Sequence, residues 1–311
     1  ESVMSVKVTV GTRGSKLSLI QTETVVRRLR KLFPDLEVET KVVETTGDRE
    51  AEVPLYQIKA KGIFEKEIDR SILEGDVDFA VHSMKDVPTV QPPGIIIAAV
   101  PRRESPRDVL VSRDDLLLEE LPSGAVIGTC SPRRRAQVNH VRPDLRVEPV
   151  RGNVDTRVRK LKEGPCDALI LAEAGLRRLG LQGYISQRLS IQDFTPAPGQ
   201  GALAVVARED DAETVRLLKQ VNHPASMAET LAERALSREL GGGCQIPLGA
   251  LGRVEGSTLT LYASVLSPDG RVKMEFSQSG AASSPEELGS RVAHEIGRKT
   301  GDLIERWKRT L

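Results

Sequence analysis

The feature of this sequence that most constrains its fold is a repeated alternation of two patterns through the first two-thirds of the chain. Short runs rich in β-branched residues, such as residues 95–100, alternate with longer amphipathic stretches, such as residues 17–32. The first pattern is typical of buried strands and the second of helices. Because strands alternating with helices form βαβ units around a mainly parallel sheet, the sequence predicts an α/β fold.

The same two patterns assign the individual elements. The predicted strands are residues 7–10, 37–43, 77–82, 95–100, 109–112, 125–128, 146–150, 168–172 and 202–206. The predicted helices are residues 17–32, 64–73, 132–141, 154–162, 173–179 and 212–221. Two segments fit neither element: residues 100–106, which are rich in proline and charge, and residues 195–201, T-P-A-P-G-Q-G. We predict that these two segments are crossings that bracket a middle domain.

The pattern changes after Ala225. One long predicted helix, residues 227–240, leads into a glycine-rich turn, and a final helix is predicted over residues 285–306. Three alternating runs lie between them, at residues 248–254, 258–266 and 272–277. A tight turn, S-P-D-G, separates the last two runs, so a small three-stranded antiparallel sheet is predicted.

Length and composition limit the class of protein. A chain of 311 residues suits two or three domains. Its net charge of +1 and its 3% of aromatic residues argue against nucleic acid as a partner, so any recognition of anions must be local. The apolar run at residues 95–100 is far shorter than the roughly 20 residues that cross a bilayer, and residues 1–10 lack the pattern of a secretory leader. Three widely spaced cysteines fit a reducing cytosol, so a cytoplasmic location is predicted.

Three junctions between a predicted strand and a predicted helix carry sequences suited to binding anions. The residues that fit the helix N-cap position are Ser15, Ser131 and Asn153. A helix start presents unpaired backbone N–H groups and the positive end of the helix dipole, and both attract carboxylates or phosphates. None of the three junctions has the spacing of a phosphate-binding P-loop.

Arginines accompany each of these junctions. They are Arg13 at the first, Arg133 and Arg134 at the second, and Arg151 and Arg157 at the third. Arginine binds a carboxylate through two parallel hydrogen bonds and stays charged at any relevant pH. Any single arginine could be a solvated surface charge, but their recurrence at three junctions predicts a ligand with several acidic groups.

A fourth polar segment, V-H-S-M-K-D-V-P, ends a predicted buried strand. Lys85 and Asp86 fall where ligands bind in open α/β sheets, at the carboxyl end of the strand, so Asp86 is a candidate acid, base or stabiliser of a cation. A surface Lys–Asp pair in a turn is an equally good interpretation of these residues alone. His82 is interpreted as a packed strand histidine rather than as a catalyst.

A fifth segment, L-G-G-G-C-Q-I-P, places Cys244 on a glycine-rich loop after a helix. Glycines let the backbone bring a thiol close to a ligand. The sequence offers no His or Asn partner of the kind that a cysteine hydrolase needs. Taken alone, the segment leaves open whether Cys244 has a functional or a structural role.

Eight motifs together resemble one known family, the porphobilinogen deaminases, also called hydroxymethylbilane synthases. In chain order they are G-T-R-G-S-K-L-S from Gly11, K-G-I-F-E-K-E-I from Lys61, A-V-H-S-M-K-D-V-P from Ala80, G-T-C-S-P-R-R from Gly128, R-G-N-V-D-T-R from Arg151, L-A-E-A-G-L-R-R-L-G from Leu171, P-A-P-G-Q-G-A-L from Pro196 and G-G-G-C-Q-I-P-L-G-A from Gly241. Each motif alone is weak, but eight in order from residue 11 to residue 250 are specific.

The resemblance implies two domains similar to periplasmic binding proteins, with mainly parallel sheets, followed by a small α+β domain with a three-stranded antiparallel sheet. The expected domains are residues 1–101 with 200–221, residues 102–199, and a cofactor-carrying domain of residues 222–311. The resemblance also implies a dipyrromethane cofactor joined to Cys244 by a thioether. The implied reaction joins four porphobilinogen molecules head to tail into hydroxymethylbilane and releases ammonia at each step. A monomer without nucleic acid, membrane or metal is expected.

The resemblance further implies roles for individual residues. Catalysis is assigned to Asp86, with Lys85 beside it, because a carboxylate can hold pyrrole N–H groups and stabilise the cation that forms when ammonia leaves. Cofactor binding is assigned to Ser83, Lys85, Asp86, Thr129, Ser131, Arg133, Arg134 and Cys244. Substrate binding is assigned to Arg13, Ser15, Arg151, Arg157 and Arg178. Each pyrrole carries an acetate and a propionate, so a growing chain accumulates negative charge that arginines and helix starts can neutralise.

The chain departs from the family pattern in three segments: Cys130-Ser131-Pro132 replaces the usual Ser-Ser-Leu run, Pro198 lies in the second crossing, and Gly241 lengthens the glycine run. None of them removes a charged group, but the first leaves open whether the Cys130 thiol reacts. Two other functions are considered. A solute-binding module would need the arginines but neither Asp86 nor a cofactor. A cysteine-dependent transferase would use Cys244 as a nucleophile in every turnover.

Overall fold

The computed structural model describes residues 6–45, 66–241 and 246–311. In the described residues the strands are β1 (Lys7–Thr12), β2 (Glu37–Val42), β3 (Phe79–Ser83), β4 (Ile95–Ala99), β5 (Asp108–Ser112), β6 (Val126–Gly128), β7 (Arg146–Glu148), β8 (Ala168–Ala172), β9 (Gln187–Arg188), β10 (Leu203–Arg208), β11 (Leu248–Glu255), β12 (Thr258–Leu266) and β13 (Lys273–Ala281). The α-helices in the same residues are α1 (Lys16–Leu32), α2 (Lys66–Leu73), α3 (Pro132–Val141), α4 (Val154–Glu163), α5 (Glu173–Arg178), α6 (Ala212–Lys219), α7 (Pro224–Glu239), α8 (Pro285–Thr300) and α9 (Leu303–Lys308).

The chain forms two compact units. The first contains Glu1–Arg103 and Ala202–Met227, and the second contains Glu104–Gly201 and Ala228–Leu311. The chain passes from the first unit to the second after β4 and returns before β10. The first passage falls within residues 100–106 and the second falls at the end of residues 195–201, the two segments predicted to be crossings. A third passage, between Met227 and Ala228, lies within α7.

The first unit is built on a five-stranded sheet with the order β2-β1-β3-β10-β4. Strand β1 pairs in parallel with β2 and β3, whereas β10 runs antiparallel to both β3 and β4. The alternation of side chains along each strand places apolar residues on both faces. Along β3, Phe79 and Val81 join one core with Val25 and Leu29 of α1, while Ala80 joins the other with Ile72 of α2. Both faces are covered, which explains the nearly continuous apolar character of these strands.

The second unit contains a sheet with the same arrangement, in the order β7-β6-β8-β5-β9. Here β5 is the strand that runs antiparallel to its neighbours, β8 and β9. Ile127 and Ile170 face one core, and Val111 and Leu171 face the other. In both sheets, therefore, one antiparallel strand lies among parallel ones.

The second unit also contains the antiparallel sheet β11-β12-β13. One face of this sheet packs on an apolar cluster that includes Leu236 of α7 and Leu288 and Ile296 of α8. The carboxylate of Glu233, on α7, is buried and accepts N–H groups from Gly199 and Gly252, each at 2.8 Å. This carboxylate therefore joins the second crossing to β11.

The structure confirms the predicted fold class of two α/β sheets and a small antiparallel sheet. Several predicted boundaries differ. Helix α7 begins at Pro224 rather than at residue 227, and the predicted final helix is divided in two at Gly301, whose positive φ of 54° is one that glycine adopts readily and other residues rarely adopt. Strand β9 was not predicted, because a pair of residues is too short to show an alternating pattern. The first residues of the predicted helix 64–73 lie outside the described part of the chain.

Candidate active site

The first predicted anion-binding junction joins β1 to α1. Ser15 is the N-cap of α1, and its Oγ accepts the N–H of Ser18 at 3.3 Å. Arg13 lies in the turn between the strand and this cap and is half-buried. The local sequence produces this geometry because a serine hydroxyl replaces the missing acceptor of a first-turn N–H group.

The fourth predicted segment follows β3, the neighbour of β1 in the sheet. Ser83 ends the strand and donates its hydroxyl to Oε1 of Gln21 on α1 at 2.9 Å. Residues Met84–Asp86 then form a single turn of 3-10 helix, which leaves Lys85 half-buried and the carboxylate-bearing Asp86 exposed.

A small cavity of about 30 Å³ lies at this edge of the sheet. It is lined by Arg13, Ser18, Gln21, Val81, His82, Ser83 and Asp86. The structure therefore brings together three predicted site residues, Arg13, Ser83 and Asp86, at the carboxyl ends of two parallel strands. Ser15 and Lys85 lie on the flanking turns and do not line this cavity.

The lining residue His82 was interpreted from sequence as a packed strand histidine. It is buried, and its Nε2 has no hydrogen-bond partner among the described residues. Burial, reinforced by the positive charge of Arg13, lowers the pKa of His82 to about 4. The imidazole is therefore neutral at neutral pH and adds no positive charge beside Asp86.

The second predicted junction joins β6 to α3. Ser131 is the N-cap of α3, and its Oγ accepts the N–H of Arg134 at 3.2 Å. The hydroxyl of Thr129, a buried residue, accepts the N–H of Ser131 at 3.1 Å. Pro132 occupies the start of the helix, where its missing N–H costs nothing.

Arg133 and Arg134, in the first turn of α3, are both buried. Nη1 of Arg133 donates to Oδ2 of Asp108 at 2.8 Å, and Nη2 of Arg134 donates to Oδ1 of the same carboxylate at 2.9 Å. Burial alone would raise the pKa of Asp108, but the two guanidiniums outweigh it and hold that pKa well below its usual range. Asp108 is thus ionised, and it balances only one of the two positive charges.

This donor set suits a ligand that carries carboxylates. Two guanidiniums share one carboxylate, and Nε of Arg134 is buried with no hydrogen-bond partner in the described part of the chain. A second carboxylate at this position would supply the missing negative charge. Asp108 is not among the site residues predicted from the sequence. Its only signal was a charged residue directly before a buried strand, which implies that the charge has a partner.

The third predicted junction precedes α4. Asn153 has the backbone conformation of an N-cap, although its side chain makes no capping hydrogen bond. Gly152 has a φ of 114°, and its carbonyl accepts Nε of Arg157 at 2.7 Å. Arg151 is half-buried, and its carbonyl accepts Nζ of Lys160 at 3.3 Å. The two arginines thus flank one glycine turn.

Arg178 lies at the end of α5, and its Nη2 donates to the carbonyl of Gly201 at 2.8 Å. Burial lowers the pKa of Arg178 to about 10, against the opposing effect of Glu104, so the guanidinium stays charged at neutral pH. Arg178 therefore contacts the second crossing directly.

The thiols differ in their surroundings. Cys244, the predicted cofactor anchor, lies outside the described residues, between the end of α7 and the start of β11. Cys130 is half-buried, and its Sγ lies 3.2 Å from the carbonyl oxygen of Val150. Cys166 is buried, and burial raises the pKa of its thiol. The reactivity of Cys130 stays an open prediction.

A larger cavity, of about 320 Å³, lies in the second unit. It is lined by Arg107, Leu118, Glu119, Val141, Arg142, Gln187, Arg188, Leu189, Ser190, Asp193 and Phe194. No predicted site residue lines it, and each of its three arginines is bound to a protein acceptor: Arg107 to Leu189, Arg142 to Asp144 and Arg188 to Glu173.

Helix starts and arginines at strand ends, with one exposed carboxylate among them, define a class of protein: an α/β protein whose strand ends suit a polyanionic ligand. Two family models match this chain. The porphobilinogen deaminase, dipyromethane cofactor binding domain matches residues 8–216, and the porphobilinogen deaminase, C-terminal domain matches residues 227–298. The chain belongs to the porphobilinogen deaminase family.

Curated relatives agree with this assignment over nearly the whole chain. Porphobilinogen deaminase of Desulforudis audaxviator is 50% identical over 287 residues, which are 92% of this chain and 93% of that protein. Probable porphobilinogen deaminase of Nitrosopumilus maritimus is 44% identical over 303 residues, 97% of each chain. Among solved structures, the periplasmic aliphatic sulphonate binding protein SsuA from Escherichia coli aligns with 75% of this chain and 70% of its own, at 13% identity and a TM-score of 0.41.

Family membership identifies the activity as that of a hydroxymethylbilane synthase of tetrapyrrole biosynthesis, with porphobilinogen as substrate and dipyrromethane as cofactor. The sequence-based predictions of family, enzyme class and cofactor are thereby confirmed. Among the helices of the described residues, none has the length and apolar character needed to span a membrane.

Proposed function

We propose that Asp86 is the catalytic carboxylate of the porphobilinogen condensation and that the predicted arginines bind the acetate and propionate groups of the pyrroles. One observation carries this proposal: Arg13, Ser83 and Asp86 line the same cavity at the carboxyl end of β3. The guanidinium of Arg13 suits a carboxylate of the substrate, and the carboxylate of Asp86 suits its pyrrole N–H.

Asp86 stabilises the positive charge that develops on the substrate during the reaction. Porphobilinogen becomes cationic when its C–N bond breaks and ammonia leaves. A fixed carboxylate stabilises this developing cation more than it stabilises the neutral ring, and so it lowers the barrier. His82 supports this role because its imidazole is neutral and does not oppose the cation.

Thr129, Ser131, Arg133 and Arg134 would hold the dipyrromethane, and the unbalanced positive charge of the arginine pair supports their role. Ser83, Lys85 and Asp86 are proposed to bind it as well, and the thiol of Cys244 would be the point of attachment. The bound cofactor supplies the pyrrole end from which the chain grows. Ser15, Arg151, Arg157 and Arg178 would bind carboxylates of the substrate and of the growing chain.

We also propose the division into three domains, at residues 1–101 with 200–221, 102–199 and 222–311, and a monomer that works in the cytoplasm without nucleic acid or membrane partners. The balanced charge and the low aromatic content support the absence of a nucleic-acid partner. The separate apolar cluster under the antiparallel sheet supports a third domain.

Replacement of Asp86 by asparagine tests the catalytic role. We expect the D86N chain to fold and to carry some cofactor, and its rate of porphobilinogen consumption to fall by roughly a hundredfold or more, because a neutral amide does not stabilise the cation. The measurements are intact mass, for the cofactor, and steady-state consumption of porphobilinogen. D76N, at an exposed aspartate of the same unit outside the site, is the matched control. Near-normal turnover by D86N would remove Asp86 from the mechanism.

A further inference from the structure

The carboxylate of Asp108 lies at the ligand-binding edge of its sheet because β5 runs against its neighbours. Asp108 is the first residue of β5 and pairs with Ala172, the last residue of β8. The start of an antiparallel strand therefore lies at the edge where the parallel strands end. In open α/β sheets that edge is where ligands bind.

At this edge Asp108 is the centre of a buried polar network. Besides the two guanidiniums, its Oδ1 accepts Nε2 of Gln200 at 2.8 Å. The network extends to Thr195, whose carbonyl accepts Nη1 of Arg133 at 2.9 Å and Nε2 of Gln137 at 2.9 Å. Asp108 is 0% exposed, so these hydrogen bonds form away from water, where they fix geometry strongly.

Two like charges lie side by side in this network. Burial and the charge of Arg134 both lower the pKa of Arg133, and Asp108 opposes them. Without the carboxylate the guanidiniums would repel each other, and their long side chains would take several orientations. Ordering them again would consume part of the free energy of ligand binding.

We infer that Asp108 is a positioning residue, which holds the guanidiniums of Arg133 and Arg134 in the orientation that receives a ligand carboxylate. The inference rests on the proposed function, which assigns that pair to cofactor binding. Asp108 itself does not touch the ligand in this account. Its contribution is to fix the direction of the pair before the ligand arrives.

The chain provides a matched control in Glu173, which follows Ala172 directly. Its side chain is also 0% exposed and also binds two arginines, Arg188 at 2.9 Å and Arg177 at 3.4 Å. These two arginines have side chains that are 54% and 43% exposed, and neither belongs to the proposed site. Removing either buried carboxylate should destabilise the fold, but only one removal should affect cofactor binding.

The experiment compares full-length D108N and E173Q with the unsubstituted chain, all made in the same host. We expect both substitutions to lower the melting temperature, because each leaves arginines without their carboxylate. Only D108N should lower the fraction of chains that carry dipyrromethane, measured by intact mass, by about tenfold or more. Normal loading of D108N, or an equal loss in both variants, would overturn the inference.

A rescue experiment separates positioning from general damage. We expect the loading of D108A with dipyrromethane to recover in part when formate, a carboxylate small enough for the vacated space, is present during loading. Chloride at equal ionic strength is the control and should not restore loading. If D108A does not accumulate, Q200L removes one hydrogen bond to Asp108 and should lower the loaded fraction to a smaller extent. Failure of formate to act on D108A, or normal loading of Q200L, counts against positioning.

R133Q and R134Q distinguish this inference from the proposed function. If both variants load cofactor normally, the proposed role of the arginine pair is wrong, whatever Asp108 does. If they fail to load while D108N loads normally, the arginines bind the cofactor and Asp108 does not position them. If all three variants fail to load and E173Q loads, both proposals stand.

Discussion

At His82, burial and the neighbouring guanidinium of Arg13 both lower the pKa of the imidazole. Both disfavour the protonated form, so the pKa in the folded state is about 4, against 6.5 for an exposed histidine. Between these two pH values the unfolded chain binds a proton at this residue that the folded chain does not bind. The contribution of His82 to the free energy of unfolding therefore rises with pH across this window and is constant above it.

We predict that His82 contributes about 3 kcal/mol to the pH dependence of the free energy of unfolding, all of it between pH 4 and pH 6.5. The difference in this free energy between the unsubstituted chain and H82Q should shrink as the pH falls from 7 to 4. Urea unfolding at several pH values measures it. A difference that does not depend on pH would mean that His82 has the same pKa in the folded and the unfolded chain.

At the scale of the elements, the backbone conformation of the second crossing depends on Gly201. Its φ is +86°, and a Cβ at this position would lie 2.5 Å from the carbonyl oxygen of Glu104 and 2.6 Å from that of Ser105. The carbonyl of Gly201 also accepts Nη2 of Arg178. Only glycine allows the two crossings to approach this closely while its carbonyl accepts the hydrogen bond from Arg178.

We predict that G201A lowers the free energy of unfolding by roughly 2 to 4 kcal/mol, through backbone strain and steric overlap together. Two glycines of the same unit separate the two causes: Gly180 has a φ of +71° and open space around it, and Gly183 has open space and is not among the positive-φ glycines. G180A should show the smaller cost of strain alone, and G183A almost none. Denaturant unfolding of the three variants checks this order, and equal effects would contradict it.

At the scale of the whole molecule, a bound cofactor stabilises the folded enzyme. The cofactor carries carboxylates, and the arginine pair at Asp108 has one positive charge in excess. A ligand that binds only the folded chain shifts the folding equilibrium toward it, and covalent attachment keeps that ligand present.

We predict that C244S lacks the dipyrromethane mass and melts at a lower temperature than the loaded enzyme. C130S, at the half-buried thiol, is the control and should keep both the added mass and the melting temperature. Intact mass and differential scanning calorimetry measure the two properties. A fully loaded C244S chain would show that the anchor is another residue.

The fold class followed from the sequence because period and composition are local properties. β-Branched runs specify strands, amphipathic stretches specify helices, and Ser15 and Ser131 specify helix starts, all through interactions within a few residues. The place of Asp86 just after a buried strand could be predicted for the same reason, whereas its role came only from the family resemblance.

Only the tertiary structure decided which residues meet. The antiparallel direction of β5 places Asp108 at the edge where the parallel strands end, and there it meets two arginines 25 and 26 positions further along the chain. Likewise, Gln200 and Arg178 meet this region through the second crossing. A strand pattern does not encode strand direction, because alternation looks the same read either way. The positioning of the arginine pair therefore appeared only once the sheet was assembled.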